Sequence, residues 1–296
     1  MKYLQVSQEV PSRLQMLANG EYRSSHQRFE EYYASPTHLV TGPRNSYLTR
    51  STNALEPHAF RAGEAAAAGE GVATVTEYHG WPSFVAKAVL GVVPVADDGS
   101  ANFTAPAGKV LYFHLLDKDF NELQRMRSVV QLQPGEQRSC VGCHEPRSAA
   151  PPRAVAQPLA RTAESLTPPP WGAVPFDYEQ IVQPVLDAQC VRCHGATADA
   201  QLDLRGVRDA QRVPASYRSL ITGGWVHYFD WYWGARHFKA EPLSFGTLQS
   251  RLFAVLADDQ HREVALTSDQ RRALKAWIDL NCPLWPDYQF REQRPQ

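Results

Sequence analysis

Apolar residues recur along this chain in two different periods, and the change between them divides it. From Val72 to Gln133 the runs are β-branched and aromatic, as in "FVAKAVLGVVPV" and "KVLYFHLL", and turn clusters "ADDGS", "APAG" and "LDKDFN" separate them. This pattern predicts a small antiparallel β-sandwich, with a tight turn at Asp98-Gly99. After Phe176 the period becomes helical. "FDYEQIVQPVLDAQ" carries apolar residues at Ile181, Val185 and Leu186, and "FGTLQSRLFAVLAD" forms a second segment. A last helix starts at a capping-box pair, Thr267 and Gln270, and presents Ala273, Leu274, Trp277 and Ile278 on one face.

Between the two regimes, Glu145 to Pro175 holds eight prolines in 31 residues. Such a stretch resists helix and inner strand and reads as an extended linker. The fold class expected is therefore α+β: residues 1–148 as an N-terminal extension plus β-sandwich, 149–175 as linker, and 176–296 as an all-α unit. Upstream, "KYLQV" reads as a short extended start, Tyr22 to Tyr33 as a helix, and "RAGEAAAAGEG" as a low-complexity loop.

Composition narrows the partners. A hydrophobic fraction of 43% over 296 residues supports packed cores, and 30 Lys plus Arg against 31 Asp plus Glu leave no field suited to nucleic acid. No window approaches the roughly 18 consecutive apolar residues of a membrane span. The first twenty residues lack the apolar core of a secretory signal.

Four of the five cysteines fall into two copies of one pattern. "CVGCH" comprises Cys140, Cys143 and His144, and "CVRCH" comprises Cys190, Cys193 and His194. Cys-x-x-Cys-His is the attachment signature of c-type haem: each thiol bonds a vinyl group and the adjacent imidazole takes an axial position on the iron. A four-cysteine zinc site is the rival reading. Zinc knuckles are usually about 15–20 residues apart and do not require a histidine after each pair, whereas 46 residues lie between Cys143 and Cys190. Two c-type haems are the expected cofactors. Covalent haem is attached outside the cytoplasm, so the motifs predict a periplasmic or otherwise exported protein whose natural start lies upstream of Met1. Cys282 is left without a partner and reads as a buried free thiol.

With these motifs in place, the chain resembles the hydrazine synthase alpha subunit family, its middle domain and the cytochrome c-like domain that comes after it. The resemblance lies in "VLGVVPVADDGSANFTAPAGKVLYFHLLD", "MRSVVQLQPGEQRSCVGCHEPR", "YEQIVQPVLDAQCVRCHG", "SFGTLQSRLFAVL" and "LTSDQRRALKAWIDLNCP". It implies a periplasmic di-haem protein with a β-propeller domain or subunit upstream. It also implies a tyrosine iron ligand four residues past the first motif histidine, but that position here is Ser148. Ligation of the first haem by His144 is the expectation instead.

The sixth ligands decide what the haems do, because a haem with both axial positions filled only passes electrons. Met1, Met16 and Met126 are the methionines, so the second haem is not of the Met/His type. Its candidates are His261, on the loop before the last helix, and His227 and His237, which flank the aromatic stretch "YFDWYWGAR". For the first haem the loop residues His58 and His79 are the better candidates. His114 lies in a strand pattern and reads as a core histidine, and Met126 reads as core. Arg125, Arg127 and Arg138 are candidates to pair with haem propionates. Three function classes remain open: a cytochrome relaying electrons through two haems to a redox partner protein, a haem enzyme acting on a small nitrogen or oxygen compound at an open first haem, and a non-catalytic module whose haems are structural and whose sandwich docks a propeller subunit.

Overall fold

In a computed structural model of the chain, the structure describes residues 1–11, 14–16, 18, 20, 22–24, 86–126, 129–140, 161–195, 202–209, 213–228 and 242–287. The strands are β1 (Tyr3–Glu9), β2 (Leu14–Met16), β3 (Tyr22–Ser24), β4 (Lys87–Pro94), β5 (Val110–Leu116) and β6 (Glu122–Arg125). The α-helices are α1 (Tyr178–Ile181), α2 (Gln183–Gln189), α3 (Ala215–Thr222), α4 (Arg251–Val255) and α5 (Ser268–Asp279). No helix among the described residues is long and apolar enough to cross a membrane.

Four strands form one antiparallel sheet in the order β4-β1-β5-β6. The short opening segment is thus a central strand, with Val6 opposite Gly91 on one side and Phe113 on the other. The turn at Asp98-Gly99 lies on the connection from β4 to β5: Gly99 takes φ +82° and Ser100 donates its backbone N–H to Asp98 Oδ1 at 3.0 Å. Among the described residues a second facing sheet is absent, and β2 with β3 makes a separate two-stranded ribbon. The β-sandwich expectation therefore gives way to a single sheet. One of its faces is covered by the helices, since Val89 and Tyr112 share a core with Tyr178, Leu186, Tyr217 and Trp277. The helix expected from Tyr22 begins instead with β3, and the rest of that segment lies outside the described residues.

The described part of the proline-rich segment runs along β4. Val92 and Thr167 exchange both backbone hydrogen bonds at 2.9 Å, and Phe176 donates to Lys87 O at 2.7 Å. Proline is tolerated there because an edge needs few donors. Contact is close enough that a Cβ on Gly91 would stand 2.7 Å from Thr167 O and 2.8 Å from Leu166 Cβ. Gly91 is thus required by approach of a second backbone.

The helical part forms where its apolar faces predict. Asp177 caps α1 by accepting from the Glu179 and Gln180 amides, and Thr267 with Gln270 completes the capping box of α5. Ala273, Leu274, Trp277 and Ile278 are buried as one face. Trp277 packs its ring 5.0 Å from Tyr178, which in turn meets Tyr217 edge-on at 5.1 Å. The α5 helix ends in a Schellman turn: Cys282 N–H reaches Trp277 O, Asn281 N–H reaches Ile278 O, and Asn281 adopts φ +68°. Cys282 is fully buried, and burial pushes its thiol well above the ordinary range.

Candidate functional site

The second motif sits where α2 stops. Cys190 is the C-cap and donates its N–H to Leu186 O at 2.8 Å. The chain then turns tightly, with Cys193 and His194 both donating to Cys190 O at 3.1 and 2.9 Å. Leu204 N–H closes the turn on His194 O at 2.9 Å. This local winding presents the half-buried Cys190, the exposed Cys193 and the half-buried His194 from one turn of backbone. The turn rests on a buried polar chain. Tyr178 OH donates to Ser216 Oγ at 2.9 Å, Ser216 to Gln183 Oε1 at 2.5 Å, and Gln183 Nε2 to Leu204 O at 3.0 Å. That chain ties α1, α2 and α3 to the strand of backbone leaving the motif.

Opposite His194 stands His261, the last residue of a 3-10 turn spanning Asp259–His261. The two imidazole rings are parallel within 10°, with centroids 6.2 Å apart. Two imidazoles bound to one metal ion from opposite sides have centres about 6 Å apart when each metal–nitrogen bond is about 2 Å. The Nδ1 atom of His261 is buried and has no hydrogen-bond partner among the described residues. Burial first, and His261 second, hold His194 below the usual histidine range, which favours the neutral imidazole that ligates metals. Burial raises the Cys190 thiol to about 11, so that sulfur is a protonated thiol at neutral pH in the chain alone. Two thiols and two facing imidazoles fit a covalently held haem. Exposed Arg192 and Glu263 meet at 3.6 Å and span the motif turn and the His261 loop. Among the described residues no three His, Cys, Asp or Glu side chains converge as a metal cage.

The other sequence candidates fall elsewhere. His227 is half-buried, donates its backbone N–H to Ser250 Oγ at 2.8 Å and titrates low through burial and the charge of Arg125. His114 is fully buried and donates Nδ1–H to Glu122 Oε1 at 2.7 Å, as suits a core histidine. Met126 packs partly buried against the shared core. Arg125 pairs with Glu122 and covers the Phe245 ring at 4.5 Å, and Arg138 pairs with Glu136 at 2.5 Å. Of the first motif, Cys140 is described and exposed. Cys143, His144, Ser148, His58, His79, His237 and Arg127 lie outside the described residues.

Sequence reasoning missed a buried ionic group at the seam between sheet and helices. Glu122 on β6 and Asp279 at the end of α5 are both nearly inaccessible, at 0% and 2% exposure. Its one visible signal was an aspartate in the last turn of a helix, where the dipole disfavours negative charge.

Parts of the chain have counterparts among known proteins. The family described as Hydrazine synthase alpha subunit middle domain matches residues 50–145, a span that includes the first Cys-x-x-Cys-His motif. Among solved structures, Kuenenia stuttgartiensis Hydrazine Synthase superposes with a TM-score of 0.52 at 18% identity, covering 98% of this chain and 40% of that one. The chain thus spans well under half the length of that relative, and at this identity the likeness is one of fold. No curated protein matches the chain. Residues 50–145 thus match the hydrazine synthase alpha subunit middle domain, and the chain shares its fold with Kuenenia stuttgartiensis Hydrazine Synthase over nearly its whole length.

Proposed function

We propose that the chain is an exported di-haem c-type cytochrome that passes electrons between its haems and a redox partner protein. The observation that carries this reading is the parallel pair His194 and His261 at 6.2 Å beside Cys190 and Cys193. Those four residues would hold the second haem, the thiols by covalent bonds and the imidazoles as ligands of its iron. Bound there, the haem would supply a one-electron redox couple. With both imidazoles engaged as ligands, this centre would have no place for a substrate. Cys140, Cys143 and His144 would hold the first haem in the same manner. Covalent haem is attached on the outer side of the cytoplasmic membrane, which supports export, and the resemblance to the hydrazine synthase alpha subunit supports a propeller domain or subunit as neighbour.

A second reading rests on the family match over residues 50–145, which covers the first motif. In it the first haem, held by Cys140, Cys143 and His144, would supply a reactive centre for a small nitrogen or oxygen compound, and the second would supply electrons. Carbon monoxide separates the two readings. The ferrous protein, produced with a cytochrome c maturation system, is expected to bind none at either haem if it is a relay and one equivalent at the first haem if it is an enzyme. His261→Ala is expected to add carbon monoxide binding at the second haem and to convert it from low spin to high spin. A protein that carries zinc and no covalent haem after such expression would overturn both readings.

A further inference from the structure

Two carboxyl groups meet at the seam where β6 faces the end of α5. A Cβ placed on Gly246 would overlap Asp279 Oδ1 and lie 3.5 Å from Glu122 Oε2, so both carboxyls border the same gap. Asp279 Oδ1 accepts the Thr247 backbone N–H at 2.7 Å, and Thr247 is itself buried. Glu122 accepts from His114 Nδ1 and from the guanidinium of Arg125.

Groups on every packed element face this pair. From β4 comes Lys87, which donates Nζ to Leu280 O at 2.9 Å; from β5, His114 and Tyr112; from β6, Arg125. The α5 helix adds Lys275, which donates Nζ to Asp119 O at 2.6 Å, and the chain after it adds Cys282. Glu9 on β1 and His227 before α4 lie at the margin. Among the described residues Arg125 is the cation set directly against Glu122, and Lys87 donates to the Leu280 carbonyl. Two like charges bordering one buried gap disfavour each other's ionisation, and burial adds to that.

We propose that Glu122 and Asp279 together bind a single proton at neutral pH, carried on Asp279, and form a proton-storage site at the seam between sheet and helices. Burial first and the charge of Glu122 second push the Asp279 carboxyl up to about 8. Burial alone would also raise Glu122, but Arg125 and His114 outweigh it and hold that carboxyl low. The negative end of α5 adds to the preference for a neutral Asp279. His114 is a poor home for the proton. Its Nε2 is buried with no partner among the described residues, so protonation would create an unsatisfied donor there.

The test is an infrared titration of the full haem-loaded chain. At pH 6 a carbonyl stretch of a protonated carboxylic acid, shifted in deuterated water, is expected, and it should fade as pH rises through about 8. Asp279→Asn should abolish that band. Glu122→Gln should remove the like charge and move the titration to lower pH by about one unit, a roughly tenfold loss of proton affinity. Should either variant fail to fold, carbon-13 labelling of the aspartate side chains in the unaltered chain decides the matter: the band should shift with labelled aspartate and stay in place with labelled glutamate. The folded carboxyl keeps its proton to about pH 8 and the unfolded one only to 3.8, so this group by itself gives up its proton on unfolding near pH 6. Stability from this group is complete below the unfolded value and is lost as pH rises toward the folded one. No band at pH 6, a band that survives Asp279→Asn, or a band that stays in place when aspartate is labelled would each overturn the proposal.

Discussion

Gly246 has φ +65°, and a Cβ on it would occupy the space of Asp279 Oδ1. Two separable penalties therefore fall on Gly246→Ala: left-handed backbone, about 1 kcal/mol, and displacement of a buried carboxyl from the Thr247 amide, of order 1–3 kcal/mol. Denaturant unfolding should report a loss of about 2–4 kcal/mol. The two causes can be told apart. Introduced into Asp279→Ala, the same change has no carboxyl to displace, and its cost should fall toward the backbone penalty alone. A double-mutant cycle with no coupling between positions 246 and 279 would contradict the packing described. Cys282 illustrates a simpler residue-scale outcome. Its thiol lies inside the core with Leu284 and Tyr217, so alkylating reagents should leave it unmodified in the native protein until unfolding exposes it.

At the scale of elements, α5 shows why helices were legible and sheet pairing was not. Its capping box, apolar face and Schellman end are all set within sixteen consecutive residues, from Thr267 to Cys282. Thr267→Ala should cost about 1 kcal/mol, measured by thermal or denaturant unfolding, because the Gln270 amide at the helix start loses its acceptor. The motif-bearing turn was legible for the same reason: α2 and "CVRCH" are contiguous, and His261 was singled out by its place on a loop. Strand order depends on contacts far apart in sequence. Nothing local in "KYLQV" says that it lies between Val93 and Leu115, so an opening segment became the middle of a sheet. The α3 helix was missed because it starts after Pro214 with no side-chain cap, although Tyr217, Leu220 and Ile221 carry a helical spacing. The pairing of Glu122 with Asp279 was not legible because, beyond the aspartate in a last helical turn, each residue reads as ordinary surface charge until the fold closes over both.

On the scale of the whole molecule, the sheet and the helices behave as parts of one interior. Tyr112 and Val89 belong to the same buried cluster as Trp277, and Lys87 crosses from β4 to the end of α5. The sheet also carries Gln5, Ser7, His114 and Glu122, all buried. Exposed to water without the helices, those groups would lose little, but Tyr112 and Val89 would lose their burial. The helices would lose more, because removing the sheet uncovers Asp279 and the Tyr178 and Trp277 core beside it. The proline-rich segment does not insulate the halves, since it is hydrogen-bonded to β4 at Val92 and Lys87. Unfolding should therefore be a single cooperative transition, with calorimetric and van't Hoff enthalpies in agreement. Trp277→Ala, which removes the largest fully buried side chain among the described residues, should cost about 3–5 kcal/mol. It should also lower the protection of β5 amides against hydrogen exchange together with those of α5. Two resolved transitions, or loss of protection confined to the helices, would mean that the sheet and the helices are separate domains joined by the proline-rich segment.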